Sequence, residues 1–240
     1  MLLRDFYRSR LSTRGKQCYD ILLQNIRRLA SDGSVYVPGR FDNSAAEDLF
    51  AAYYALREDR PEYYFLTNRV RSSRTENGIT LFYEIRFTRD HMKRINNLLR
   101  RTIGEITDGC DGQPVVERER IVYSRIAARY FYDNNDYSHD LSGLLLLNSG
   151  VCEALSAVLV LSLREVGIPA MKLKGFGKNA WHSWTVVMIN GQALHLDVTW
   201  DLSSRGNPSC FRYFNLTEGE ITRDHTLHVD EWRVTHKNEN

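Results

Sequence analysis

Between residues 152 and 166 the chain carries apolar side chains at Leu155, Val158, Leu159, Val160, Leu161, Leu163 and Val166, then stops at Gly167-Ile168-Pro169. The pattern predicts a helix that is apolar on nearly every side, and such a helix has to be covered all round. Soon after it comes a hairpin pattern: Ser183 to Ile189, then Asn190-Gly191, then Gln192 to Leu196. Asn-Gly suits the two positive-φ positions of a type I′ turn. A buried helix followed by an antiparallel hairpin predicts an α+β fold in which the helix packs on an antiparallel sheet.

Cys152 falls at the start of this helix, with Ser149 or Gly150 as the expected N-cap. In a first helical turn the unpaired N–H groups and the positive end of the helix dipole favour an anion. A thiol there is set to act as a nucleophile, and the same N–H groups can stabilise the oxyanion of an attacked acyl carbon. With Asn190 and Gly191 as the two loop residues, Ile189 pairs with Gln192 and, counting back, Trp184 lies opposite Asp197. His182 then shares the Asp197 face, at a diagonal Cα separation of about 7–8 Å, within side-chain reach. Leu194, Leu196 and Val198 take the other face, so the sheet is expected to rest one side on the core. Asp197 can accept from one imidazole nitrogen while the other faces the thiol. His195 is on the same face, opposite Val186, and competes as the base.

The motifs Gly150-Val151-Cys152, Gly167-Ile168-Pro169, His182-Ser183-Trp184 and Asp197-Val198-Thr199-Trp200 resemble those of the transglutaminase-like superfamily, relatives of the papain-type cysteine proteases. The likeness spans roughly residues 120 to 225, and Tyr132-Asp133 and Tyr213-Phe214-Asn215-Leu216 resemble bacterial members. It implies Cys152 as nucleophile, His182 (rather than His195) as base, Asp197 as its orienter, and an Asp-Val-Thr-Trp strand. The sequence departs from the bacterial pattern at Ala154-Leu155-Ser156 and at Thr185, which flank the three residues. Where papain-like enzymes place an oxyanion-binding glutamine, six residues before the cysteine, this chain has Leu146. Tyr132, His139 and Ser142 are the alternatives for that donor. Trp184, Trp200 and Tyr132 are the expected substrate-binding residues. The implied reaction is acyl transfer on a peptide or isopeptide amide through a thioester, with hydrolysis as the expected outcome. Protein-glutamine transglutamination and a non-enzymatic peptide-binding module are the alternatives. No cofactor and no metal site are expected, and nothing resembles the calcium site of animal transglutaminases.

At 240 residues and 42% hydrophobic composition the chain has room for a catalytic domain and an added unit. Residues 115–240 are expected to hold the former and 1–110 an N-terminal α/β extension, joined at Asp108–Pro114. In the extension a helix is expected near 13–30, a capping-box start at Ser44, strands at Tyr63–Leu66 and Ile79–Phe87 about Asn77-Gly78, and a helix ending near Thr107. With 32 basic against 30 acidic residues, a nucleic-acid partner is not expected, and Arg69–Arg74 and Arg100-Arg101 read as solvated faces. No apolar run approaches the roughly 18 residues of a membrane span. Four cysteines, Cys18, Cys110, Cys152 and Cys210, lack metal-ligand spacing. With no signal-peptide pattern at the start, they favour a reducing, cytoplasmic setting.

Overall fold

The computed structural model describes residues 3–41, 43–134, 139–178, 180–202 and 211–228, the side chains of 43–45 excepted. They group into two compact units, one within Asp5–Arg94 and one within Ile95–Trp232. The fold is α+β.

The first unit runs α1 (Phe6–Ser9), α2 (Thr13–Gln24), α3 (Ile26–Asp32), β1 (Ser34–Pro38), α4 (Asn43–Asp59), β2 (Val70–Thr75) and β3 (Gly78–Tyr83), and ends in the start of α5 (Arg89–Thr107). Tyr19 and Leu22 of α2 and Leu49, Tyr53 and Leu56 of α4 are buried, and the two helices pack together. The sheet is antiparallel in the order β1-β3-β2, so β3 is central and the arginine-bearing β2 is a largely exposed edge. Edge strands are where charge is tolerated.

Three expectations for this unit are corrected. The helix near 13–30 is two helices, broken at Asn25, whose side chain donates to Ile21 O at 2.8 Å and so competes with the helical backbone pattern. Tyr63–Leu66 is not a strand. It forms consecutive turns, Tyr63 N–H to Arg60 O at 2.9 Å and Leu66 N–H to Tyr63 O at 3.0 Å, which bury Tyr64 and Leu66 without a neighbouring strand. The strand expected to reach Phe87 ends at Tyr83, and β1, whose Val35-Tyr36-Val37 alternates buried and exposed, adds a strand not among those expected. The Ser44 side chain and Cys210 lie outside the described residues.

The second unit takes in the rest of α5, then α6 (Val115–Arg129), β4 (Phe131–Tyr132), α7 (Leu141–Leu147), β5 (Ser149–Gly150) and α8 (Cys152–Glu165). It continues through β6 (Ala170–Gly177), β7 (Ala180–Ile189), β8 (Gln192–Leu196), α9 (Val198–Leu202), α10 (Glu218–Ile221) and β9 (His225–Leu227). Asp108–Pro114 turns tightly, with Cys110 N–H bonded to Thr107 O and Gln113 N–H to Cys110 O.

Helix α8 is buried along almost its whole length and packs on β6 and β7. Its N-cap is Val151, not Ser149 or Gly150, and it makes no side-chain cap. Beyond its C-terminus Gly167 takes φ +76°, and Ile168 N–H closes the end on Leu163 O at 2.9 Å. The four-stranded sheet is antiparallel throughout, in the order β8-β7-β6-β9. The hairpin register pairs Ile189 with Gln192 and Val186 with His195, and Asn190 and Gly191 have φ of 50° and 80°. Residues Ser183 to Val187 of β7 are buried without alternation, so this sheet is covered on both faces rather than on one.

Candidate active site

Cys152 is the first residue of α8 and remains partly accessible. Serine 156, one turn later, lies within hydrogen-bond distance of both Cys152 O (2.7 Å) and Ser183 O (2.9 Å), so the first turn of α8 is tied to the backbone of β7. His182 is the neighbour of Ser183 on β7, and it is 9% exposed. The imidazole Nε2 sits 2.7 Å from Asp197 Oδ2, and the Cys152 side chain is close enough to favour the charged form of the ring.

Asp197 differs from the expected strand residue. The segment Val198–Leu202 is the helix α9, because the Asp197 carboxylate caps it: Oδ1 accepts from Thr199 N–H at 3.0 Å and Trp200 N–H at 3.3 Å. One carboxylate thus serves the helix with one oxygen and the imidazole with the other. Its own N–H donates to Tyr213 O at 2.9 Å. Helix α9 is anchored further by Asp201, which accepts from Tyr123 of α6 at 2.6 Å and from the Arg212 and Tyr213 N–H groups.

A second imidazole, not anticipated from the sequence, converges on the same oxygen. His225 of β9 places Nε2 3.1 Å from Asp197 Oδ2 and Nδ1 2.7 Å from Asp224 Oδ1. The register explains how. His182 pairs with Gly175, and His225 pairs with Gly177, so the two histidines stand on one face of the sheet on either side of β6. The two glycines keep that face clear. A Cβ on Gly177 would lie 2.8 Å from the Trp200 ring and 3.2 Å from His182, and one on Gly175 would lie 2.8 Å from the Trp184 ring. Two glycines at alternate positions of a strand, Gly175-Phe176-Gly177, were the available signal of a close approach.

Electrostatically the site favours an imidazolium. Burial alone pulls His182 down, but the bond to Asp197 and the interactions with Asp197 and Cys152 outweigh it and carry the ring up to about 10. Burial pushes Asp197 up, yet the bonds and charges of His182 and His225 hold it below the usual carboxylate range. His195 goes the other way, down to about 4, through burial and the charge of His225. Its Nδ1 accepts from Trp184 Nε1–H at 3.0 Å, so it closes a core contact and is not placed against Cys152. Among the described residues, His182, Asp197 and His225 form a group whose potential metal-ligating atoms lie within 4.8 Å of one another. At the distances above they are already committed to hydrogen bonds with each other.

The three expected substrate contacts separate. Trp184 is corrected: at 1% exposed, with its N–H spent on His195, it belongs to the core and has no surface to offer a ligand. Trp200 is half-buried in α9, not at a strand end; its ring lies 5.5 Å from that of His182 and 4.2 Å from that of His225. Tyr132 is 56% exposed. It pairs with Gly150 across β4 and β5, and partial burial with the charge of Cys152 raises its phenol. Of the other oxyanion alternatives, Ser142 is buried and bonded to Asp140, and His139 is exposed. Ala154, Leu155, Ser156 and Thr185 are all buried, so the departures from the bacterial pattern lie in the core.

Residues 100–198 match the family model of the transglutaminase-like superfamily, a span that takes in Cys152, His182 and Asp197. No curated protein matches the chain. Among solved structures it is similar to a TGase (12% identity, TM-score 0.41, covering 69% of this chain and 51% of that one). It is also similar to a candidate cysteine protease from Cytophaga hutchinsonii (12%, TM-score 0.36, 55% and 61%). A third similarity is to a candidate protease from Parabacteroides distasonis ATCC 8503 (11%, TM-score 0.34, 53% and 35%). The chain thus spans about half the length of the TGase, and these likenesses say nothing of what it acts on. Cys152, His182 and Asp197 thus lie within the span that is similar to the transglutaminase-like superfamily, while Trp200 and His225 lie beyond it.

Proposed function

We propose that this protein is a cysteine-dependent acyl-transfer enzyme acting on peptide or isopeptide amides, with water as the acceptor. What supports this reading is the His182 ring, bonded at Nε2 to Asp197 and favoured in its charged form by Asp197 and by Cys152 at the start of α8. An imidazole held protonated to about 10 is the partner a thiolate needs. The Cys152 sulfur attacks the amide carbonyl carbon, and the oxyanion forms against the first-turn N–H of α8, with the Tyr132 hydroxyl as the proposed second donor. As the C–N bond breaks, His182 gives its proton to the departing amine, leaving a thioester on Cys152. His182 then takes a proton from water, whose oxygen displaces the sulfur to release the acid.

In this reading residues 115–240 are the catalytic domain, 1–110 an extension to it, and Trp200 with Tyr132 border the acyl site. A reduced Cys152 is required, which suits the cytoplasm. The test is mass spectrometry of the full chain with a peptide library and a lysine-like amine. The expected result is peptide cleavage, with acyl adducts confined to Cys152 and absent from Cys152→Ser. Amine incorporation in place of cleavage would make it a transglutaminase. Reversible peptide binding with no adduct and no product would make it a binding module.

A further inference from the structure

Asp197 Oδ2 is shared by two imidazoles that stand on different strands. His225 is 2% exposed, and both of its nitrogens face carboxylates, Asp197 at 3.1 Å and Asp224 at 2.7 Å. Asp224 in turn accepts from the Tyr213 hydroxyl at 2.7 Å, and Tyr213 O receives the Asp197 N–H. The result is a closed circuit, Asp197 to His225 to Asp224 to Tyr213 and back to Asp197. It leaves the buried carboxylate with donors on both oxygens: Thr199 and Trp200 N–H on one, His182 and His225 on the other.

Oδ1 is pinned by two backbone N–H groups and acts as a pivot, so Oδ2 is the oxygen left to move. A single imidazole on Oδ2 can travel with it; two, converging from strands on either side of β6, leave it one position. We infer that His225 is a positioning residue of this active site: by donating to Asp197 Oδ2 it fixes the carboxylate, and so directs His182 at Cys152. The inference rests on the proposed roles of Cys152 and His182. Its geometry reaches beyond a three-residue arrangement to a fourth side chain, delivered by the pairing of β9 with β6. Orienting groups behind a reacting one are worth as much as a charge-assisted hydrogen bond, since a misdirected imidazole loses its line to the sulfur.

The experiment is the rate of Cys152 alkylation by iodoacetamide in the full chain, followed by mass spectrometry, which needs no substrate. Four variants are compared with the native protein: His182→Ala, His225→Phe, the double variant, and His225→Gln. The expected result is that His225→Phe slows Cys152 by about tenfold, the size of a lost charge-assisted bond, and that this loss disappears in the His182→Ala background. His225→Gln, whose amide can restore one donor to Asp197, should recover most of the rate. Equal slowing by His225→Phe with and without His182 would overturn the inference, as would a native rate in folded His225→Phe. Should His225→Phe fail to fold, Asp224→Asn, which loosens the same ring from its far side, is read in the same cycle. A native rate in His182→Ala would instead remove the proposed role of His182 itself, a separate failure.

Discussion

Asp197 carries three duties at one buried position: it caps α9, it holds His182 and it accepts from His225. Replacement by Asn is therefore not the near-silent structural change it would be for an orienting residue alone. An amide can keep the cap through its oxygen, but its NH₂ group then meets two imidazole donors. We expect Asp197→Asn to cut turnover by orders of magnitude through the wrong His182 tautomer, and to lower stability by about 3 kcal/mol because buried partners are left unmatched. Urea unfolding beside kinetics on the confirmed substrate checks this; native stability would show that His225 does not depend on the charge. His182 also makes stability depend on pH. Its folded value near 10 lies above its ordinary 6.5, so the stability its pairing supplies is present in full below about 6.5 and lost as pH rises through about 10. Asp197, held low, acts in the opposite sense, its contribution lost only as pH falls below the ordinary carboxylate range. The difference in unfolding free energy between the native protein and His182→Gln should shrink steadily from neutral to alkaline pH. A difference independent of pH would mean that the imidazolium is not favoured by folding.

Between elements, the site depends on what β6 lacks. Gly175 and Gly177 remove two side chains from the face on which His182, His225, Trp184 and Trp200 gather. Gly177→Ala places a methyl group 2.8 Å from Trp200 and 3.2 Å from His182. Both rings are wedged among other aromatic groups, so we expect a loss of about 1–3 kcal/mol, of the overpacking kind, and slower Cys152 alkylation. Gly191→Ala is the control: a Cβ there meets nothing within 4 Å, although φ is +80°. It should cost stability through backbone strain while leaving alkylation of the folded protein unchanged. Equal alkylation rates in the two variants would mean that the glycines of β6 matter only for folding.

At the scale of the whole chain, the two compact units differ in what reports on them. Among the described residues the tryptophans, Trp181, Trp184 and Trp200, all fall in the second unit, so their fluorescence follows the unit that carries the site. Far-UV circular dichroism follows both, since each unit contributes several helices. We expect Asp197→Asn to lower the fluorescence midpoint while part of the dichroism transition stays in place. One coincident transition, shifted as a whole, would mean that the chain unfolds as a single cooperative body. The helix of Cys152 and the register of the hairpin were both legible in the sequence, because each is set by nearby residues: apolar side chains over four turns, a stop at Gly167, and the positive-φ pair Asn190-Gly191. From them follow the helix-start cysteine and a histidine and aspartate on one face. Other features were decided by contacts between segments far apart in the chain. Trp184 became core because both faces of its sheet are covered, and Asp197 began a helix because Tyr123, Tyr213 and the backbone of 199–200 gather around α9. His225, 28 residues beyond Asp197, reached the same oxygen only because β9 docks on the far side of β6. Local periodicity records which side of a strand a residue takes; it does not record which strand comes to lie beside it, and that lateral order brought the second histidine to the site.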